Sequence, residues 1–180
     1  GRFNYSYNDK YLIEANARYD GSSRFTGKNQ YSFFPSFSAG WRISEETFWS
    51  SMKQAISELK LRGSWGQTGN QAVGLYSYYE SLSPSTYTFG GEPITGYSPT
   101  TLSNQDITWE TTDQTDIGID VVALGNLNLT LDYYSKRTSG ILLTLPIPQT
   151  IGLDAPPQNA GVVSNKGLEI EIGYKNSVGD

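Results

Sequence analysis

Neither cysteine nor histidine occurs anywhere in the 180 residues. The first absence removes disulfide frameworks and thiolate chemistry, and the second removes the commonest general base and metal ligand. No catalytic residue, no metal and no cofactor is expected, and the chain is not expected to be an enzyme. Long apolar runs are also missing: the longest, Val121 to Leu124, falls far short of the roughly 20 residues that a spanning helix needs. Basic clusters are absent as well. Against 18 Asp and Glu stand 13 Lys and Arg, for a net charge of −5. Nucleic-acid binding, which needs concentrated positive charge, is therefore not expected. No secretory leader opens the chain. Its strand-like start directly after Gly1 reads as the cut end of a longer chain, with Gly1 as a tag remnant.

What the chain does have is aromatic: 13 Tyr, 7 Phe and 4 Trp make up 13% of it, over a thin supply of Leu, Ile and Val. Tyr and Trp join an apolar body to a polar tip, so they gather where one end of a ring is dry and the other wet. The mean hydropathy is negative, which leaves a transmembrane barrel open. A spanning β-strand needs only about 9 to 11 residues, and its alternating pattern averages to near zero. The length allows one domain.

Seven segments alternate with period two, which predicts an all-β protein of about seven strands. Tyr11, Ile13, Ala15, Ala17 and Tyr19 oppose Glu14, Asn16, Arg18 and Asp20, and Leu127, Leu129, Leu131 and Tyr133 oppose Asn128, Thr130, Asp132 and Lys136. Leu168, Ile170, Ile172 and Tyr174 oppose Glu169 and Glu171, while Ile117, Ile119 and Val121 oppose Asp116 and Asp120. The segments around Phe3 to Tyr7, Phe33 to Ile43 and Leu59 to Trp65 divide in the same way.

A soluble sandwich would give this alternation too, so the connections have to discriminate. Asn8-Asp9-Lys10 is tight, 21–30 longer, 44–57 intermediate, 69–106 very long, 122–126 tight and 138–161 long, and a further turn is expected after Lys175. In an up-and-down barrel every second connection emerges at the same rim. That alternation therefore gathers short turns on one side and long loops on the other, as in outer-membrane barrels with short periplasmic turns and long extracellular loops. A Greek-key sandwich has no reason to sort its loops by parity. Register follows, because a slip of one residue would put Glu14, Arg18, Asp132 and Lys136 into lipid. The predicted fold is an antiparallel up-and-down transmembrane β-barrel segment. Between 44 and 59, Phe48, Met52, Ile56 and Leu59 fall near helical spacing after Ser44, which predicts one short helix at the periplasmic rim.

Several stretches, in order, resemble the SusC/RagA-type TonB-dependent outer-membrane transporters. They are Tyr11 to Phe25 (YLIEANARYDGSSRF), Phe34-Pro35-Ser36 with Ala39 to Glu46, and Leu59 to Gln71 (LKLRGSWGQTGNQ). Trp109-Glu110-Thr111-Thr112 with Gln114 to Asp120, Asp132-Tyr133-Tyr134 and Asn159 to Glu169 complete the series, so that nearly the whole chain takes part. The resemblance implies that residues 1–180 are part of the C-terminal β-barrel of such a transporter, in the cell outer membrane. It implies import of a bulky oligosaccharide or peptide, a SusD-like surface lipoprotein as partner, and coupling to TonB through an N-terminal part. The plug and TonB box lie outside this chain, and outer-membrane lipid is the surrounding solvent.

The residues also support plainer readings of each motif. Asp113, Asp116, Asp120 and Asp132 form a carboxylate series, but Asp113 differs in parity from Asp116 and Asp120, and a polar ladder facing the lumen accounts for them. The glycines of Gly63-Ser64-Trp65-Gly66-Gln67-Thr68-Gly69 lack the lysine of a phosphate loop and read as places for a bend or close backbone approach. The sequons at Asn4 and Asn128 fall inside strands. Tyr76, Tyr78, Tyr79, Tyr87, Phe89 and Tyr97 of the long loop, with Trp109 at its end, are the candidate ligand-binding residues, since exposed rings stack on sugars or grip peptide side chains. Pro146, Pro148, Pro156 and Pro157 favour an extended excursion between 145 and 158 that serves as lid or partner contact. The alternatives are a secreted carbohydrate-binding β-sandwich and a glycosidase built on two carboxylates.

Overall fold

The computed structural model describes residues 1–175. The turn expected after Lys175 lies outside the described residues. Among the described residues nine strands form: β1 (Arg2–Tyr7), β2 (Tyr11–Gly21), β3 (Tyr31–Arg42), β4 (Ile56–Asn70), β5 (Ser81–Phe89), β6 (Glu92–Thr101), β7 (Glu110–Ala123), β8 (Leu127–Thr144) and β9 (Pro157–Tyr174). Seven of them make one antiparallel sheet in the order β1-β2-β3-β4-β7-β8-β9, a meander in which each strand pairs with its sequence neighbour once β5 and β6 are set aside. Those two pair with each other as a hairpin inside the long loop, and a single bridge joins Thr101 at its base to Asp154.

The register carries one face of the sheet unbroken across every pair. Tyr11 lies opposite Trp41, Trp41 opposite Leu61, Leu61 opposite Ile119, Ile119 opposite Leu131 and Leu131 opposite Ile170. This apolar row has no second layer on it: Ile13 is 49% exposed, Phe37 54%, Ile117 53% and Leu168 73%. A soluble sandwich would bury this row against a second sheet, and among the described residues no second sheet covers it.

Aromatics bracket the row. Tyr7, Tyr11 and Trp41 stack in sequence at the short-turn rim, at 6.4 and 6.3 Å, and Tyr19 stacks on Tyr31 at 5.5 Å towards the other. Tyr11 and Tyr19 are eight residues apart on β2, about 27 Å along the strand. A tilt of 35–45° reduces that to roughly 20 Å of height, comparable to the ~25 Å outward apolar band of outer-membrane barrels.

Turns 8–10, 43–55 and 124–126 share one rim, and loops 22–30, 71–109 and 145–156 share the other. The expected rim helix is present as something tighter. Two 3-10 turns, Ile43–Glu45 and Thr47–Trp49, flank Glu46, whose extended backbone (φ −76°, ψ 148°) interrupts any α-helix. Ile56 and Leu59, counted on the helical face, belong to β4. Ser44 is buried but caps nothing through its side chain. The hairpin β5–β6 is the second departure. It turns through Gly90 (φ +64°) and Gly91 (φ +88°), the left-handed pair that matches strand twist.

The buried core lies at the long-loop rim and not beneath the sheet. Phe25, Phe34, Val73, Ile107 and Trp109 form it, with Tyr78 and Leu142 packed against it. Phe34 lies on the charged parity of β3, just above the point where β3–β4 pairing ends at Ser36 and Gly66. Its ring rests against Gly69, where any side chain would collide with it, and this gives the third glycine of the Gly-x-x-Gly-x-x-Gly run its structural reason.

Candidate conduit wall and loop surface

The charged parity forms a wall cross-linked between strands. Arg62 of β4 reaches over Gly118, its Nε donating to Asp120 of β7 at 3.1 Å and a terminal nitrogen donating to Asp132 of β8 at 2.6 Å. Gly118 is the space that permits this, since a methyl group there would run into the Asp132 carboxylate and, at 2.7 Å, the Arg62 guanidinium carbon. Thr130 Oγ1 donates to Asp120 at 3.3 Å, and Ser64 Oγ donates to Asp116 at 3.3 Å. Gln67 donates to Asp113 at 3.0 Å on the opposite parity, close to the long loops. The carboxylate series is thus a set of cross-strand pairs, in which a forked guanidinium holds two aspartates at once. Glu14, Ser38, Lys60, Arg62, Ser64 and Asp116 line a groove of about 590 Å³ along this face. Such charges belong on a wet or protein-filled interior, never against hydrocarbon.

At the long-loop rim the three loops interlock. Asn159 clamps the end of the longest loop, its Oδ1 accepting from Thr108 N and its Nδ2 donating to Thr108 O, both at 2.9 Å, and to Gly140 O at 2.7 Å. Gly140 (φ +67°) sits where the β8–β9 register shifts, a bulge that aims its carbonyl at this asparagine. Asn29 of the first loop donates to Ile107 O at 3.3 Å, and Arg24 donates to Val73 O. The third loop pairs with the base of the hairpin through Asp154, whose N donates to Thr100 O at 2.7 Å.

The expected ligand-binding residues divide into three groups. Tyr76, Tyr78 and Tyr79 gather, with Tyr78 and Tyr79 at 4.5 Å and Tyr76 and Tyr79 at 6.5 Å. Burial pushes the Tyr78 hydroxyl up from its ordinary value, with Tyr79 and Tyr76 adding to the effect. Tyr87 and Phe89 share one face of the hairpin, Tyr97 lies on the other, and all three are 63–72% exposed. Trp109 stands apart from the expectation: it is 7% exposed, with Phe25 at 5.2 Å and Phe34 at 5.5 Å, so it anchors the loop base and offers no open ring face. Phe25, Phe34 and Asn159, named only within the resembling stretches, gave no sign of this role: Phe25 lies in a loop, Phe34 on the polar parity of β3, and Asn159 bonds to distant backbone.

A meander with one lipid-ready face, a cross-linked polar face and loops sorted by rim is a wall segment of an outer-membrane β-barrel. The profile of the family described as TonB dependent receptor-like, beta-barrel, matches residues 1–179, and the chain belongs to that family of TonB-dependent transporters of the outer membrane. It is 41% identical to the TonB-dependent receptor P26 of Formosa agariphila over 177 residues, 98% of this chain and 18% of that protein. With the TonB-dependent receptor SusC of Bacteroides thetaiotaomicron it shares 35% over 182 residues, 97% of this chain and 18% of SusC. The chain therefore spans less than a fifth of these relatives' length. Among solved structures, the RagAB peptide transporter aligns with a TM-score of 0.84 and 29% identity over 98% of this chain and 19% of that chain. The siderophore receptor PirA of Pseudomonas aeruginosa shares the fold alone, with a TM-score of 0.61 and 15% identity over 95% of this chain and 29% of that chain.

Proposed function

We propose that this segment is part of the wall of a transporter that imports a bulky oligosaccharide or peptide across the outer membrane, energised through TonB and capped outside by a SusD-like lipoprotein. The observation that carries the reading is the likeness to the RagAB peptide transporter along 98% of the chain, supported by the relationship to SusC. In this reading the Arg62-centred face lines the route inward. Tyr76, Tyr79, Tyr87, Phe89 and Tyr97 meet substrate or lipoprotein at the outer mouth, Tyr78 backs them, and Trp109 fixes the base from which they project. Flat, exposed rings with hydroxyl tips suit both sugar faces and peptide side chains.

The test is deletion of the full-length gene in its own host, followed by growth on a panel of oligosaccharides and oligopeptides as sole carbon or nitrogen source. Failure confined to one polymer class supports the proposal and names the class. Unimpaired growth on all of them, with failure only under iron limitation, refutes it. Within a responsive host, replacing Tyr87 and Phe89 together by alanine is expected to lower uptake at limiting substrate more than at saturation, since these rings would contribute to capture and not to the energised step.

A further inference from the structure

We infer that the 43–55 turn is an interfacial membrane anchor, seated in the headgroup–acyl boundary of the periplasmic leaflet of the outer membrane. Its position comes from Glu46. One carboxylate oxygen accepts from Tyr11 Oη at 2.6 Å and from Trp41 Nε1 at 3.2 Å, and the other accepts from Lys10 Nζ at 3.1 Å. Tyr11 and Trp41 both belong to the outward row, so the residue that ties their polar tips together lies outside the wall, at the lower edge of the apolar belt and not under the lumen. The turn is therefore continuous with the lipid-facing surface.

From Glu46 the chain sorts its aromatics in opposite directions. Trp49 turns inward, 9% exposed, and its Nε1 donates to Ile56 O at 3.1 Å. Phe48, its ring edge-on to Trp49 at 6.5 Å, and Met52 remain exposed, at 64% and 45%. The neighbouring turn adds Leu124, 73% exposed, held alongside by a 2.9 Å bond from its N–H to Ala55 O. Leu124 occupies a left-handed position (φ +53°) that turns normally give to Gly or Asn. A Phe, a Met and a left-handed Leu exposed on two bonded turns of one rim are costly in water and favourable when set among acyl chains.

The test uses the full-length transporter in phospholipid vesicles, with a nitroxide placed by a single cysteine at position 48, 52 or 124 in an otherwise cysteine-free background. Collision rates with lipid-soluble oxygen and a water-soluble nickel chelate are compared with those of labels at Ile119, in the belt, and at Asp9, in the tight turn of the same rim. The expected oxygen-to-nickel ratio at 48 and 52 is several-fold above that at 9 and below that at 119. A ratio at 48 and 52 equal to that at 9 places the turn in water and overturns the inference. Protection from both agents overturns it as well, by showing that another part of the protein covers the turn. A label at 119 that reads as aqueous would instead overturn the lipid-facing assignment of the whole row, and the anchor with it.

Discussion

Replacing Ile119 by lysine tests the assignment of faces directly. Ile119 sits between Ile117 and Val121 on β7, opposite Leu61 and Leu131, so its side chain points out from the middle of the apolar belt. A lysine at the midplane of an outer-membrane barrel costs about 2–4 kcal/mol. At 1.4 kcal/mol per factor of ten, the folding equilibrium falls roughly 30- to 700-fold. Thr130 is the control, since it lies on the charged parity of β8 opposite Asp120 and Glu171. A lysine there gains two carboxylate neighbours, so Thr130→Lys should change stability by no more than about 0.5 kcal/mol. The assay is a denaturant titration of the full-length transporter in phospholipid vesicles, with folded and unfolded forms separated by electrophoretic mobility. Equal destabilisation by the two lysines would refute the assignment, and greater destabilisation by Thr130→Lys would reverse it.

Three further outcomes follow from particular contacts. Arg62→Met strands Asp120 and Asp132 and should cost about 1–2 kcal/mol, less than the 3–5 of a fully buried pair because a third of the arginine side chain is open; adding Asp120→Asn and Asp132→Asn should restore most of the loss in the same titration. Trp109→Ala removes the ring shared by Phe25 and Phe34, so limited proteolysis should open segments 22–30 and 71–109 together, and cleavage confined to 71–109 would refute the interlock. Hydrogen bonds from Tyr11, then Lys10 and Trp41, hold the Glu46 carboxyl below its ordinary value of 4.5. With the folded value depressed, its stabilisation is present above 4.5 and is lost as pH falls through the lower folded value. The midpoint difference between wild type and Glu46→Gln should therefore shrink on acidification over that window, and a pH-independent difference would refute the assignment.

The sheet was legible because a barrel strand writes its two solvents into alternate residues. Ile117, Ile119 and Val121 against Asp116 and Asp120 fix parity, and once parity is fixed a one-residue slip is forbidden, so pairing follows. Loop lengths then supplied the rims. The hairpin was hidden because its strands carry no such contrast: Ser, Thr and Pro alternate with rings on both faces, every residue of β5 is exposed, and only the adjacent glycines at 90 and 91 signalled a turn. The rim segment deceived by spacing alone. Phe48, Met52 and Ile56 lie four apart, yet Glu46 is drawn into an extended conformation by three donors from β2, β3 and the tight turn, and that tertiary demand outweighs a local helical preference.

The loop base was the least legible part, for a reason that bears on transport. Trp109 resembled a ligand ring because it ends an aromatic loop, but Phe25 and Phe34 reach it from other parts of the chain and cover it. Its burial gives the exposed rings a fixed platform, because Asn159 of β9 and Asp154 of the β8–β9 connection tie that loop down while Asn29 ties it to the first loop. The first and longest loops share that core and cannot open singly without breaking it, whereas the hairpin beyond its Thr100–Leu102 base, where Asp154 bonds it, is paired strand to strand and can bend there at little cost. Motion at the outer mouth should therefore be concentrated in 82–99 while 22–30 and the Thr100–Asp154 junction stay with the barrel. Hydrogen exchange of the full-length transporter would show the contrast as rapid exchange at the hairpin and slow exchange at Thr108 N, and equal rates at both would refute the division.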